Sequence, residues 1–419
     1  MKASLPTEFG NGLFSPQGCV LAAIVLSGWT LAAICPQALM AVGIADYGTP
    51  YLDSYAVLAA LDAVRAGADP HGANPLDPLM RGHVYSDWWL ALRWLGLTRA
   101  HNFAVGTALA ALFGVTVWLT AQLRRWRETT GLALVMLSPP VLLAVKRANN
   151  DLMIFVVLAG VGLAATAAVW WRTVVAIGCV ALATGLKYFP APAVLGFMWV
   201  RPARRMPAVV LGALVAVGLA LASVWSQVDR SRFVVGSGVY TMGAPLIWRD
   251  YGWEDKASAL LGVMVIAVAA LALAVGRVTT GLAAQGHATD RMRAVMGAIV
   301  LLACFSAGVN YSYRWIFVIW PGLWLWRRAG DDALSRLDRF VARFACGLIL
   351  LCLWLDGLLC LAINLSHPLL GPGGIDHLQL IWRLWTQPVP WLLMLLLAGW
   401  IAEGALVSVR EWWSFRHEG

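Results

Sequence analysis

The chain has 419 residues, of which 60% are hydrophobic and only 13% are charged, and its mean hydropathy is +0.72. A soluble chain has about 45–50% apolar and about 25% charged residues. The composition therefore excludes an ordinary soluble protein and predicts an all-α polytopic membrane protein. The net charge of +9 would suit nucleic acid, but the basic residues follow membrane topology, so no nucleic-acid partner is expected.

Apolar runs predict about twelve membrane spans in a single integral membrane domain, residues 1–419. The first run is too long for a signal-peptide core of about 7–15 residues, which indicates a retained first span. The seven cysteines show no CxxC spacing, so neither a disulfide framework nor a zinc site is expected. The spans are placed at about 18–43, 101–122, 131–145, 152–171, 173–186, 188–200, 207–226, 257–276, 293–309, 312–326, 341–363 and 389–408.

The Lys and Arg residues indicate which side of the membrane is cytoplasmic. An even number of spans puts both termini on one side, and 18 of the 31 basic residues fall in the mostly short segments of that side. Because short cytoplasmic loops carry an excess of Lys and Arg, both termini are predicted to be cytoplasmic, in a bacterial inner or plasma membrane. The exterior segments, at about 44–100, 227–256 and 364–388, are longer.

The first exterior segment contains a predicted interfacial helix at 54–66, with apolar residues on one face and Asp62 and Arg65 on the other. Asp53 stands just before this helix. It fits a helix N-cap and also a catalytic acid, and the two roles are compatible. Asp46 is a second acid with a weaker claim. Further along the segment, His83, Tyr85 and Asp87 would either bind a sugar or hold the loop.

Residues 146–151 form the densest polar cluster, a six-residue turn between two predicted spans. In one interpretation Asp151 caps the next helix while Lys146 and Arg147 reach toward lipid headgroups. In the other, the turn binds an anion, because two exterior cations break the positive-inside trend and Asn149, Asn150 and Asp151 gather at a helix N-terminus.

Three short elements end near the outer leaflet, at Lys146 and Arg147, at Lys187 and at Arg314. If Arg172 and the cluster at 201–205 are both cytoplasmic, residues 173–200 must cross twice or dip and return. Each half of about 14 residues reaches about 21 Å, short of the ~30 Å bilayer core. Recessed helix ends predict a cavity there, and an ionisable residue such as Lys187 at membrane depth is by default functional. Arg314 could pair a lipid phosphate or reach toward headgroups.

One acid beside several recessed cations suits transfer of a group from a lipid phosphate. The leaving phosphate is stabilised by cations, and a carboxylate can accept the proton of the attacking hydroxyl. The chain has no Walker loop, no GxGxxG after a strand, no HExxH and no GxSxG, so nucleotide and hydrolase chemistry of the soluble type has no support.

These residues resemble the GT-C superfamily of polytopic glycosyltransferases, most closely glycosyltransferase family 87, over about 44–320. The stretch from Asp53 to His71 is similar to the family's acid, Tyr and Ala followed by Gly-x-x-Pro-Tyr, with His71 in place of the Tyr. Residues 147–151 look like the family's Arg/Gly-Asn-Asp turn, and 186–190 look like its Lys-x-x-Pro turn. Where the family often has Ser-Trp-x-His-His, this chain has Asn-Tyr-Ser-Tyr-Arg at 310–314, so the His pair is absent.

The resemblance implies an inverting enzyme that moves a sugar from a polyprenyl-phosphate donor to a hydroxyl of a glycolipid, glycan or protein on the exterior side. Mannose is the donor sugar in part of that family, but the absent His pair means that it is not carried over. Asp53 would be the catalytic acid. No metal is predicted, although Asp53 and Asp46 would hold a divalent ion if one takes part. The predicted donor-phosphate residues are Lys146, Arg147, Lys187 and Arg314, and the predicted sugar or acceptor residues are Asn149, Asn150, Asp151, His83, Tyr85, Asp87 and Tyr188.

Two other functions remain open at this point. Broken short helices also occur in transporters, so a transporter or flippase of a lipid-linked sugar is the first alternative, although no inverted repeat is visible. A non-catalytic subunit of a membrane assembly is the second.

Overall fold

The computed structural model describes residues 15–164, 169–228, 240–246, 255–275 and 287–418. This part of the chain is mostly helical. Its one sheet pairs β1 (Thr241–Met242) antiparallel with β2 (Asn310–Tyr311), with Thr241 opposite Tyr311. The α-helices are α1 Pro16–Ile34, α2 Pro36–Ala41, α3 Leu52–Arg65, α4 Asn102–Ala121, α5 Trp126–Met136, α6 Pro139–Arg147, α7 Asp151–Ala159, α8 Trp170–Leu186, α9 Met206–Val228, α10 Asp255–Val275, α11 Ala288–Ala307, α12 Ile319–Arg328, α13 Arg336–Thr386 and α14 Pro388–Glu418.

Within the described residues, five helical segments are long and apolar enough to cross a bilayer, which confirms a helical membrane protein in outline. A sixth candidate is the pair α5 and α6, bent by 57°. Three shorter apolar helices are Asp151–Gly162, Trp170–Leu186 and Leu260–Ala274. The five long segments are Pro16–Ile34, Arg99–Ala121, Ala203–Val228, Arg336–Ser366 and Pro388–His417.

Several predicted spans are broken in the structure. The span at 18–43 divides at Cys35 into α1 and α2, and the span at 131–145 divides between α5 and α6. In both places the second helix begins with proline, at Pro36 and Pro139, because proline lacks the N–H that would continue the preceding helix. The boundary predicted at residue 171 is wrong, since Trp170 already belongs to α8.

The other short elements begin with 3-10 turns. The predicted span at 188–200 is a 3-10 helix, Ala191–Trp199, and the span at 312–326 is a 3-10 helix, Ser312–Val318, followed by α12. The segment 364–388, predicted to be exterior, is helical as far as Thr386. Most of the predicted exterior segment 227–256 lies outside the described residues.

An aromatic core lies behind the polar turns. Phe155 of α7 stacks on Trp320 of α12 at 4.0 Å between ring centroids and meets Phe113 of α4 edge-on at 5.0 Å. The ring centroid of Phe317 lies 6.2 Å from that of Phe155. Each such pair adds about 0.5–1.5 kcal/mol beyond its buried area. The packing therefore fixes α7 and the 312–318 segment, which carry Asp151 and Arg314, relative to α4.

The basic segments predicted to be cytoplasmic contact one another. Arg327 pairs with Asp290 at 2.5 Å, and Arg124 lies 3.1 Å from the His287 ring. Arg125 and Arg127 both donate to the carbonyl of Gly330. The structure thus brings together three of the segments predicted to be cytoplasmic, those around Arg124, Asp290 and Arg327.

Candidate functional site

Asp53 is the centre of a buried network of hydrogen bonds. Its carboxylate accepts from Nε and Nη2 of Arg147 at 2.9 and 2.6 Å, and from Nδ2 of Asn149 at 2.6 Å. Arg81 adds a further contact at 3.2 Å. Only 1% of the residue is exposed. The predicted N-cap role is wrong, because α3 begins at Leu52 after Tyr51, which leaves the Asp53 side chain for these partners.

Unusual backbone conformations place the partners of Asp53. Tyr51, before α3, and Ala148, between Arg147 and Asn149, adopt the left-handed region with φ of 55° and 43°. Met80, before Arg81, has φ of 54°. The Tyr51 N–H also donates to the carbonyl of Lys146, which ties the two turns together. Such conformations disfavour a residue with a Cβ and persist only where the surroundings enforce them.

The environment of Asp53 keeps its carboxylate ionised. Burial by itself would raise the pKa of Asp53, but the charge and hydrogen bond of Arg147, the amide of Asn149 and the charge of Arg81 together lower that pKa below its ordinary value. Asp53 lies in the loop predicted to be exterior, outside the predicted spans. While these donors remain in place, the carboxylate is a weak proton acceptor.

A second buried charge cluster lies around Asp151. Nζ of Lys187 lies 2.5 Å from its Oδ1, and Nε of Arg314 lies 3.6 Å from its Oδ2. Arg314 also donates to the side chain of Asn310. The Lys187 ammonium faces the ring of Tyr85 at 5.3 Å, and the Arg314 guanidinium lies over Phe189 at 4.6 Å. Cations above aromatic faces are stabilised by the ring quadrupole.

Two tyrosines lie between the clusters. Tyr313 interacts electrostatically with both Asp53 and Asp151. Burial and the nearby charge of Asp53 raise the pKa of Tyr85, in the loop predicted to be exterior, well above its ordinary value. The Tyr85 hydroxyl therefore stays protonated and can donate a hydrogen bond. The structure thus brings Asp53, Arg147, Lys187 and Arg314 into one electrostatically connected region.

The sequence interpretation missed Arg81 and its partner Asp77. Arg81 donates to the Asp77 carboxylate at 2.8 and 3.0 Å and to the carbonyl of Leu52 at 2.7 Å. These hydrogen bonds of Arg81 hold the loop around Asp77 against the start of α3. The available signal was a cation in the predicted exterior loop, four residues after Asp77, which is itself part of an Asp-Pro turn.

The remaining predicted residues take several positions. His83 is buried, with Nε2 lying 3.2 Å from the Ser86 carbonyl. Asp87 pairs with His71 at 3.3 Å and exchanges two hydrogen bonds with Gln227 of α9. These contacts favour loop support for His83 and Asp87.

On the other side of the turn, Asn149 accepts the Asp151 N–H at 2.9 Å. Asn150 is buried at the start of α7. Tyr188 is half-buried near Arg314. Lys146 faces Asp46 at 3.5 Å, apart from the Asp53 network.

Asp53 and Asp46, the two acids considered as metal ligands, face different cations, Arg147 and Lys146. Among the described residues, no three His, Cys, Asp or Glu side chains are grouped so that they could hold a metal ion. Comparisons with protein-family models, with curated proteins and with solved structures give no match for this chain.

Proposed function

We propose that this chain is an inverting glycosyltransferase of GT-C type with about twelve crossings, which takes its sugar from a polyprenyl-phosphate donor. The observation that carries the proposal is the convergence of Asp53, Arg147, Lys187 and Arg314, from four separate segments, on one buried region. The acceptor would be a hydroxyl of a glycolipid, glycan or protein on the exterior side, and both termini would be cytoplasmic.

The energetics support a binding role for these charges. Taking ions out of water costs several kcal/mol per ion, so buried ion pairs are a poor way to gain stability. Intramembrane ionisable groups generally face a functional cavity. Four cations, Arg81, Arg147, Lys187 and Arg314, surround three carboxylates, Asp53, Asp77 and Asp151. The excess of positive charge favours an anion such as a lipid phosphate.

The proposed step is a displacement at the anomeric carbon of the donor. The acceptor oxygen loses its proton to Asp53 and forms a bond to the anomeric carbon, while the bond from that carbon to the phosphate oxygen breaks. The bonding electrons leave with the polyprenyl phosphate, which the cations stabilise. Asp53 then passes its proton to the leaving phosphate or to water, since the second pKa of a phosphate monoester is about 6.

Donor binding would also activate the base. Arg147 holds both oxygens of Asp53. A donor phosphate would compete for this guanidinium, because Arg pairs well with phosphate. As Arg147 turns toward the phosphate, the pKa of Asp53 would rise and the carboxylate would become a better proton acceptor. The low basicity of Asp53 in the free protein thus fits an enzyme that gains its base only with donor bound.

The test compares Asp53→Asn with Asp62→Asn, two changes of the same kind within α3. Asp62 pairs with Arg65 and Arg99 away from the network. Purified variants are incubated with a panel of polyprenyl-phosphate sugars and acceptor extracts, and released polyprenyl phosphate is measured. Asp53→Asn should lose at least about 100-fold in rate, the usual size of general base catalysis, while Asp62→Asn stays near wild type.

Donor binding by Asp53→Asn, measured separately, shows that this variant is folded. Full transfer activity in Asp53→Asn would end the assignment.

The broken helices favour one second candidate, a transporter of a lipid-linked sugar. The bent pair α5 and α6 and the short helices α7 and α8 are features that transporters also have. Vesicles with purified protein would then move a labelled lipid-linked sugar between leaflets without releasing polyprenyl phosphate. Release of that product with no movement supports the transferase.

A further inference from the structure

Three arginines that take no part in the step described above lie at the ends of different helical segments. Arg291 stands near the start of α11, Arg328 is the last residue of α12, and Arg201 follows the 3-10 helix Ala191–Trp199. All three belong to segments predicted to be cytoplasmic, and each lies one or two residues from the end of a predicted span. Side chains in that position are at the depth of the lipid head groups of one leaflet.

The three guanidinium groups are close enough to interact, and we call them the arginine cluster. Arg291, of which 9% is exposed, interacts electrostatically with Arg201, with Arg328 and with Glu411 of α14. Nη2 of Arg201 lies 2.8 Å from Oε2 of Glu411, and its Nη1 donates to the Ser408 hydroxyl at 3.4 Å. Four segments that are distant in the sequence thus meet at one group of cations.

The surroundings of Arg291 disfavour its positive charge. Burial and the charges of Arg201 and Arg328 lower the pKa of Arg291, and the charge of Glu411, which acts in the opposite direction, does not compensate for them. An arginine nevertheless stays protonated in a protein. An anion bound within the cluster would therefore relieve an unfavourable interaction that the free protein retains.

Arg328 has a hydrogen-bond donor to offer such an anion. Only 5% of this residue is exposed, and its guanidinium lies 4.6 Å from the ring centre of Trp324. Its Nη1 donates to the Asp331 carboxylate at 2.9 Å. Its Nη2 is buried and has no hydrogen-bond partner within the described part of the chain. A buried donor of this kind calls for a water or an ion at the site.

Glu411 occupies the most open part of the cluster. Its side chain is 47% exposed, and that of Arg201 is 27% exposed. An ion pair this open to solvent contributes about 0–1 kcal/mol. Hydrogen bonds between arginine and phosphate are charge-assisted and often bidentate. A phosphate can therefore take the place of the Glu411 carboxylate at little cost, while that carboxylate turns toward water.

We propose that the arginine cluster binds the phosphate group of an anionic phospholipid. The phosphate contacts Arg201 and Nη2 of Arg328, and its charge offsets that of Arg291. A lipid is favoured over a soluble anion because all three arginines lie at the ends of predicted spans, and basic pockets between membrane helices on the cytoplasmic side bind such head groups. The cluster shares no residue with the network around Asp53, so the inference does not depend on the proposed transfer of sugar.

The experiment measures the affinity of the full-length protein, in a nonionic detergent, for three probes. They are dioctanoyl phosphatidylglycerol, dioctanoyl phosphatidylcholine and inorganic phosphate, the last of which distinguishes a free phosphate from a lipid-borne one. The wild-type protein should bind phosphatidylglycerol at least about tenfold more tightly than either other probe, since basic clusters at the membrane surface select anionic lipids. The choline cation of phosphatidylcholine would be repelled by the arginines.

Variants of opposite expected effect test the cluster. Arg201→Gln and Arg328→Gln should each weaken the binding of phosphatidylglycerol by about tenfold or more, as expected for losing a charge-assisted hydrogen bond. Glu411→Gln should strengthen it by about threefold, because the competing carboxylate loses its charge. A gain in affinity cannot come from loss of structure, so Glu411→Gln keeps the test valid if a buried arginine variant unfolds.

The matched control is Arg339→Gln. Arg339 belongs to a neighbouring segment that is also predicted to be cytoplasmic, and it pairs with Asp332 at 3.1 Å. This variant should bind all three probes as the wild type does. Equal weakening in Arg339→Gln would show attraction to general surface charge and would overturn the proposed site.

Three further results would overturn the inference. They are equal affinity of the wild type for the two lipids, unchanged binding in both Arg201→Gln and Arg328→Gln, and weaker binding in Glu411→Gln. Tighter binding of inorganic phosphate than of either lipid would reject the phospholipid as the ligand. Sugar transfer is measured separately, so failure of this inference leaves the proposed function standing, and failure of the proposed function leaves the lipid site standing.

Discussion

Asp53 shows how a single side chain can be held in a charged state inside a protein. Arg147, Arg81 and Asn149 surround its carboxylate, and the guanidinium of Arg147 meets both oxygens. The same contacts link the start of α3 to the turn after α6 and to the loop at Arg81. A carboxylate that joins three segments in this way affects both the proposed transfer step and the free energy of unfolding. The pH dependence of unfolding measures the second effect separately.

The stability that Asp53 provides should depend on pH in a defined direction. Its folded-state pKa is lowered, so its contribution is present above the unfolded value of about 3.9 and is lost as pH falls through the lower folded value. Asp53→Asn should therefore reduce the free energy of unfolding by about 3 kcal/mol at pH 7. The difference from wild type should narrow below about pH 4, measured by denaturant unfolding in detergent.

Ser54→Ala provides the comparison for this pH series. The Ser54 hydroxyl lies 2.7 Å from the side-chain oxygen of Asn102 and 2.9 Å from the Tyr51 carbonyl, so it can donate to either, and it carries no charge. Its effect on stability should not change between pH 3 and pH 8. A difference between wild type and Asp53→Asn that stays constant to pH 3, or that widens, would show that the Asp53 carboxylate is not stabilised in the folded state.

At the scale of elements, α3 reaches its position because α4 leaves room for Tyr51. The ring of Tyr51 lies against Gly106 of α4, where an added Cβ would come within 2.2 Å of the ring. The Tyr51 hydroxyl also lies 3.1 Å from Thr107. Gly106 therefore sets how closely the left-handed residue before α3, and with it Asp53, can approach the membrane helices.

Gly106→Ala should displace Tyr51 and disturb the site from a distance. Overpacking of this kind costs about 1–3 kcal/mol, more than the roughly 0.5–1 kcal/mol that alanine gains over glycine in a helix. We expect a lower melting temperature together with weaker sugar transfer. Gly114→Ala is the matched control in the same helix, since its Cβ would meet Trp29 at an ordinary 3.6 Å, and it should be neutral or stabilising. Equal behaviour of the two variants would contradict the role given to Gly106.

The elements also show what the sequence could and could not predict. The turns at 146–151 and 187–190 and the shortness of the helices beside them followed from apolar run length and charge placement, which are local properties. The clamp of Arg81 on Asp77 and Asp53 did not follow, because it depends on how a long loop folds back on α3. The start of α3 was placed late because Tyr51, a residue with a Cβ, takes a left-handed conformation that local propensity disfavours.

At the scale of the whole molecule, two of the charge networks among the described residues involve different segments of the chain. One joins Arg124, His287, Asp290 and Arg327, and the other surrounds Asp53 and Asp151. Each network contains residues that the sequence assigns to one side of the membrane. A charged side chain is costly at the bilayer centre, so we expect each network near one surface of the membrane. If the network around Asp53 lies on the exterior side, we expect the network around Arg327 on the cytoplasmic side.

The orientation can be tested with two cysteines placed in exposed loops. Ala68 follows α3 in the loop predicted to be exterior, and Ala333 lies between α12 and α13 in a segment predicted to be cytoplasmic; both are exposed. In a background with Cys19, Cys35 and Cys179 changed to serine, a membrane-impermeant maleimide should label Ala68→Cys in intact cells. It should label Ala333→Cys only after lysis, because that loop should carry the positive-inside signal. Labelling of Ala333→Cys in intact cells would reverse the topology and move Asp53 to the cytoplasmic face, where a donor displayed in the outer leaflet could not reach it.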